Sequence, residues 1–374
     1  MRPETEADLA RVIADAAGPL RIVGGGTRAI GVAGGDVLST AGLRGITLYE
    51  PGALTLVVRA GTPLAEVDAA LAREGQRLAF EPMDHRGLLG TSGEPTIGGV
   101  VAVNASGPRR VAVGACRDFL LGVRFVDGMG HVLKNGGRVM KNVTGYDLTR
   151  LMAGSHGTLG VLSEVALKVL PVPRASVTLA LDGLDDMRAV GALSRALGSP
   201  YEVSGAAHVA TGAPRTLIRL EGFAASVAYR ADKLLGVLSE FGDWQMLDDS
   251  EAAWCPVRDV TALEGSGDVW RVSCRPSEGP KLAARAPGAA AIYDWGGGLI
   301  WLRVPEGTDL RAALGDFDGH ATLIRADPAT KTRLGVFHPA SAPVAALEAG
   351  LRQRFDPKGI LNAGMMDRAR EGAL

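Results

Sequence analysis

The chain has 374 residues, of which 47% are hydrophobic, enough for two domains of ordinary size with cores of their own. A net charge of −1 provides no basic field, which argues against nucleic acid or an anionic membrane surface as a partner. The three cysteines, Cys116, Cys255 and Cys274, form no C-x-x-C pair, which argues against a structural zinc or iron–sulfur site and fits a reducing compartment.

A first helix is predicted from Thr5, with Asp8 three residues on in a variant capping box. Leu9, Val12, Ile13 and Ala16 share one face, and Gly18-Pro19 ends it. Residues 20–23 read as a short buried strand that runs into Gly24-Gly25-Gly26. Another strand is predicted over 54–60, followed by a helix with Thr62 as N-cap and Pro63 at its first position, running through Leu64, Val67 and Leu71 to Gly75. From 96 to 170 glycine-rich loops alternate with strands at 120–126 and 161–169, and a short helix is predicted over 147–153. Pro171-Val172-Pro173 marks the expected boundary between a domain of residues 1–171 and one of 172–374. In the second, 217–220, 269–274, 290–294 and 299–304 are strand-like, and 226–241 and 341–355 helix-like. Val344, Leu347, Leu351 and Phe355 fall on one stripe of the last helix. The first residues show no basic and apolar leader pattern, and no stretch approaches the roughly 20 apolar residues of a membrane helix, so a cytoplasmic protein is expected.

Gly24 to Ala29 formally matches G-x-G-x-x-A after a strand, the dinucleotide fingerprint. That fingerprint must open into a helix, whereas Ile30-Gly31-Val32-Ala33-Gly34-Gly35 will not sustain one. Two readings remain. The glycines form a plain turn, or Gly24, Gly25 and Gly26 point successive N–H groups into a nest for phosphate oxygens, with a Thr27 hydroxyl and an Arg28 charge added.

Downstream lie Thr96-Ile97-Gly98-Gly99-Val100, Asn104-Ala105-Ser106-Gly107, Gly114-Ala115-Cys116-Arg117-Asp118, Lys141-Asn142-Val143-Thr144-Gly145-Tyr146-Asp147-Leu148 and Gly154-Ser155-His156-Gly157-Thr158-Leu159-Gly160-Val161. In this order they resemble the FAD-binding domain of the vanillyl-alcohol-oxidase / p-cresol-methylhydroxylase (PCMH) family over residues 3–171, and its 2-hydroxy-acid dehydrogenase branch in particular. The resemblance implies an α+β chain: a two-sublobe PCMH-type FAD-binding domain, then an α+β cap domain with an antiparallel sheet whose C-terminal segment returns to the flavin. It also implies that Gly98 and Gly99 admit the cofactor's backbone approach, that Thr96, Ile97, Asn104, Ser106 and Gly107 line the same strip with Pro82, and that Gly157, Thr158, Gly160 and Val161 lie near the adenine or ribose. Thr27 stands where relatives with tethered flavin carry a linking residue, so non-covalent FAD is expected. Asp147 reads as a helix N-cap.

Relatives in that branch hold a metal with paired histidines, whereas no two of His85, His131, His156, His208, His320 and His338 lie within five residues of each other, so no metal is expected. Segments 80–85, 93–99, 106–110, 134–142, 270–273, 293–297 and 355–364 are similar to the smaller FAD-binding subunits of bacterial glycolate oxidases. That implies a larger FAD-containing subunit and an iron–sulfur subunit as partners, a small 2-hydroxy-acid substrate at the level of the complex, and no direct membrane insertion, any membrane association running through the complex. Asn362 is either a donor to the flavin or a structural cap. Trp254, Arg258, Trp270, Arg271, Trp295 and Trp301 line a substrate face or subunit contact, or are ordinary core. No residue is singled out as catalytic.

Overall fold

The computed structural model describes residues 1–139, 145–247 and 249–366, so the Lys141–Thr144 part of one motif lies outside the described residues. The helix Glu6–Ala14 starts where expected: the Thr5 hydroxyl accepts the Asp8 N–H, and Glu6 and Asp8 place negative charge against the helix N-terminus. Leu9 and Ile13, one turn apart, are buried. They pack on strands β1 (Leu20–Val23) and β2 (Asp36–Ser39), a parallel pair. Residues 24–35 between them contain no helix, which removes the dinucleotide-fingerprint reading.

A five-stranded antiparallel sheet follows. It comprises β3 (Ile46–Glu50), β4 (Thr55–Arg59), β6 (Leu120–Val126), β7 (Val132–Gly136) and β8 (Val161–Lys168), in the order β3-β4-β8-β6-β7. Between β4 and β6 in sequence lies the short β5 (Gln76–Arg77), paired with β9 (Leu170–Pro171). The helices Leu64–Arg73 and Ile97–Ala102 share a core with this sheet that includes Val58, Val67, Leu71, Ile97 and Val165. The first of these helices differs from expectation. Pro63 occupies the cap position, and the Thr62 hydroxyl instead donates to the Arg59 carbonyl at 2.7 Å and accepts the Gly45 N–H at 2.9 Å, clamping the turn after β4. Asp147 does cap Leu148–Met152, accepting the Arg150 N–H.

After Pro173 come β10 (Ala175–Asp182), β11 (Val203–Val209), β12 (Arg215–Gly222), β13 (Gln245–Leu247), β14 (Asp268–Ser273), β15 (Ala290–Asp294), β16 (Leu299–Val304) and β17 (His320–Arg325). They form one antiparallel sheet in the order β13-β10-β12-β11-β15-β16-β14-β17. On one face Trp270, Val272, Tyr293, Ile300 and Leu302 pack with the helix Gly279–Arg285. On the other, Val269, Ile292, Leu299 and Trp301 pack against Ile30, Met83 and Leu88 of the first half. Trp254, Trp270 and Trp301 are therefore core residues, the plain one of the two readings above. The apolar stripe of the helix Ala342–Phe355 is left open, with Val344, Leu347 and Leu351 exposed, while Phe355 meets Phe125 at 6.0 Å between ring centroids. Among the described residues no helix is long and apolar enough to cross a membrane.

The two halves are joined by a buried charge network. Glu81 pairs with Arg109 at 2.7 Å and takes two bonds of 3.1 Å from Arg219 of β12. Glu221 on the same strand pairs with Arg109 at 2.9 Å and Arg77 at 3.0 Å. Burial opposes ionisation of Glu221, but the Arg109 hydrogen bonds and the charges of Arg219, Arg109 and Arg77 hold it down at about 2.

Asp294, buried at the end of β15, is the opposite case: burial pushes its carboxyl up to about 7, against the Trp295 N–H bond that favours the charge. Its ordinary value is near 3.9. Between about pH 4 and pH 7 the folded chain thus holds a proton that the unfolded chain has released, so stability falls as pH rises through that window, by at most about 1.4 kcal/mol per pH unit. Asp294→Asn keeps the acceptor for the Trp295 N–H and removes the titration. Denaturant melts are expected to show the wild type losing stability relative to this variant from pH 4 to pH 7. A pH-independent difference between the two would show that the Asp294 carboxyl is not held neutral.

Candidate cofactor site

A cavity of about 430 Å³ runs between the β1–β2 unit and the five-stranded sheet, within the roughly 300–1,000 Å³ range of small-molecule and cofactor sites. Three glycine-rich segments meet in its wall: Gly24, Gly25, Gly26, Thr27 and Arg28; Thr96, Gly98 and Gly99; and Gly157, Gly160 and Val161, with Asn362 beside them.

Their approach depends on missing side chains. A Cβ on Gly24 would strike the Thr96 hydroxyl, and one on Gly25 would overlap the Glu94 carbonyl oxygen. The loop after β1 therefore lies directly on the 93–96 segment, backbone to backbone. Thr96 holds that segment by accepting the Gly99 N–H at 3.3 Å as the N-cap of Ile97–Ala102. Gly98 and Gly99, expected to play one role, separate here. A Cβ on Gly98 would sit 2.7 Å from the Ala60 Cβ, so glycine there lets the helix close on β4. At Gly99 the nearest atom would be the Thr96 hydroxyl at 3.2 Å, and the residue is half-buried at the cavity.

Arg28 gives the wall its charge. One Nη donates to the Met83 carbonyl at 3.2 Å, while Nε is buried without a hydrogen-bond partner among the described residues. Burial lowers its pKa to about 10, leaving it cationic at neutral pH, with Asp84 pulling the other way. An orphaned cationic donor beside a nest of glycine backbone suits a phosphate-bearing ligand.

Asn362 has a structural role that neither of the two expectations named. Its Oδ1 accepts the Ile22 N–H and its Nδ2 donates to the His156 carbonyl, both at 2.7 Å. Its own N–H donates to Leu20 O, next to the parallel bridge between Leu20 and Leu361. The side chain is thus a clasp that ties the C-terminal segment to β1 while lining the cavity. Other expected residues stand away from the lining. Ile97 is core, the Thr158 hydroxyl donates to Ser155 O at 2.7 Å, and the Asn104 side chain accepts the Arg117 N–H. The Ser106 hydroxyl accepts the Cys116 N–H, and Gly107 O accepts the Trp295 indole N–H. Pro82 is half-buried outside the lining.

The structure adds residues that the sequence did not suggest. Lys331, from the helix Pro328–Leu334, lines the cavity and donates to the Ala29 carbonyl at 3.2 Å; burial lowers its pKa. His156 lines it too, its ring edge-on to Phe337 at 4.8 Å, and burial lowers its pKa to about 4, so it is neutral at neutral pH. Met365 reaches over Gly31. Only the glycine beside His156 could have hinted at any of these.

Residues 1–136 match the family model for an FAD binding domain. Glycolate oxidase subunit GlcE of Escherichia coli (strain K12) is 39% identical over 336 residues, covering 89% of this chain and 87% of that protein. A D-lactate dehydrogenase of Anaerostipes hadrus is 34% identical over 167 residues, 44% of this chain and 33% of that one. Among solved structures, p-cresol methylhydroxylase with substrate bound superimposes with a TM-score of 0.69 at 14% identity, over 98% of this chain and 88% of the other. Chitooligosaccharide oxidase gives 0.67 at 15%, over 99% and 91%. These last two speak for the fold alone. The FAD binding domain match and these relatives make the chain an FAD-dependent oxidoreductase, and the superposition gives it the PCMH-type α+β architecture. Within that class, the chain belongs to the family of glycolate oxidase subunit GlcE.

Proposed function

We propose that this chain is the FAD-binding subunit of a glycolate (2-hydroxy-acid) oxidase complex, working with a larger FAD-containing subunit and passing electrons to an iron–sulfur subunit. The observation that carries the reading is the glycine-walled cavity with Arg28 and Lys331 in its wall, in a chain alike to a glycolate oxidase subunit over most of its length. A protein named glycolate oxidase subunit GlcD, from Bacillus subtilis, is 34% identical over 146 residues, 39% of this chain, so both names belong to one multi-subunit enzyme type.

In this reading residues 1–171 hold the cofactor and residues 172–374 cover it. The N–H groups of Gly24, Gly25 and Gly26, the Thr27 hydroxyl and Arg28 bind the phosphates; Thr96, Gly98 and Gly99 form the facing wall; Gly157, Gly160 and Val161 close the far end, and the Asn362 clasp fixes the geometry. FAD supplies the two-electron redox chemistry when bound. The protein's part is to bind and orient it and to exclude water, and Thr27 leaves it without a covalent tether.

The test is purification of tagged chain from its own cells, followed by native mass spectrometry and acid precipitation. The expected result is a hetero-oligomer with a larger flavin subunit and a cysteine-rich iron–sulfur subunit, with intact FAD in the acid supernatant. A homo-oligomer that transfers electrons fully to a simple acceptor would overturn the complex, and flavin left in the pellet would overturn the non-covalent site.

A further inference from the structure

On the sheet face turned toward the first half, a guanidinium of the sheet meets one from the first half across an indole ring. Cross-strand partners share a face, and Arg271 on β14 lies opposite Trp301 on β16 and Thr322 on β17, while Ser273 lies opposite His320. Trp301 on this face packs with Met83 and Leu88, so Arg271 looks the same way. Its guanidinium stands 5.2 Å from the ring centre of Trp295 and 6.0 Å from that of Trp301. Arg110 from the first half stands 4.4 Å from the same Trp295 ring.

Among the described residues neither guanidinium has a hydrogen-bond or ion-pair partner; their contacts are the indole rings. The other buried arginines differ. Arg77, Arg109 and Arg219 pair with glutamates, and Arg311 and Arg325 donate to carbonyl oxygens. Two like charges brought to one aromatic ring repel each other, and burial lowers the Arg271 pKa to about 10, with Arg110 adding to the effect and the Asp294 carboxyl opposing it.

Trp295 is held for the purpose. It sits at φ +52°, a conformation a bulky residue rarely adopts, fixed by its N–H on Asp294 and its indole N–H on Gly107 O at 3.1 Å. Trp295, Arg110, Arg271, Ser273 and Thr322 are half-buried and His320 is exposed, so the strip opens to solvent.

We propose that the Arg110–Trp295–Arg271 group, with Ser273, Thr322 and His320 beside it, binds a small free carboxylate, the acid group of a 2-hydroxy acid. The inference rests on the functional reading above for the choice of acid. A planar carboxylate matches the guanidinium fork in shape and charge, and the Ser273 and Thr322 hydroxyls offer donors and acceptors for a neighbouring 2-hydroxyl.

Calorimetric titration of the purified full chain with glycolate, and with oxalate as a second probe, tests this. Saturable binding is expected, weakened at least about tenfold in Arg110→Gln and in Arg271→Gln, with flavin content and circular dichroism unchanged. Arg271→Lys, which keeps the charge and loses the fork, should also weaken it. Should Arg271→Gln misfold, Arg110→Gln, half-buried on a short helix, still decides. No binding by the wild type, or binding untouched by both variants, overturns the site. Loss of a partner subunit by the variants without carboxylate binding by the wild type would mean that the pair receives a protein acid group, and also overturns it. The functional reading fails separately, through absent FAD or absent partners, and oxalate binding would survive that failure.

Discussion

Gly25→Val protein is expected to lose most of its FAD while remaining folded. A valine Cβ would overlap the Glu94 carbonyl oxygen, and backbone cannot move aside as a flexible side chain can. The loop after β1 must then lift from the 93–96 segment, and overpacking of this kind costs about 1–3 kcal/mol. Because the displaced residues line the cavity, that cost falls on cofactor affinity, a loss of roughly 5-fold to over 100-fold. Gly34→Val is the control: nothing lies within 4 Å of a Cβ there, and the residue is exposed in the same connection. The measurement is the ratio of flavin to protein absorbance after gel filtration. Equal flavin content in both variants would remove the loop from the cofactor site. Gly98→Val would not serve, since its Cβ presses on Ala60 and the variant would fail through the fold.

Glu81→Leu is expected to cost about 3–5 kcal/mol of stability, the range for removing one partner of a buried ion pair. Glu81 accepts two bonds from Arg219, which is only 1% exposed, pairs with Arg109 and takes the Arg109 N–H at 3.1 Å. Without it, Arg219 keeps Glu221 at 3.7 Å and the Trp254 ring at 4.4 Å, too little for a cation so far from water. The double variant with Arg219→Met should recover part of the loss, because it removes the stranded charge. Urea midpoints for the two single variants and the double variant give the answer. Strict additivity would mean that the network does not couple the halves. Acid should weaken the same joint: Glu221, at about 2 when folded, contributes stability above its unfolded value near 4.3 and loses it as pH falls toward 2.

Part of this protein was legible in its sequence. Thr5 and Asp147 start their helices because an N-cap bonds to an N–H three residues away, a contact written into the local order of residues. β6 follows its predicted bounds because its residues are apolar nearly throughout and bounded by turns. The run of glycines after β1, too glycine-rich for a helix, announced a loop and not a dinucleotide fold. The order of five short motifs carried the family resemblance, since each needs a residue type at a fixed place in a wall.

What the tertiary structure decided lies across long separations. Lys331 and Ala29 are 302 positions apart, Asn362 and Ile22 340, and Glu81 and Arg219 138, so no local pattern records their meeting. The split between Gly98 and Gly99 depends on what each missing Cβ would face, which neighbouring sequence does not specify. Asn104, Ser106 and Thr158 have the residue types of ligand contacts, yet their side chains satisfy the chain's own backbone groups, because backbone groups withdrawn from water need partners. Arg110 and Arg271 look like ordinary surface arginines in one dimension; their shared indole exists only once the sheet face closes on the first half.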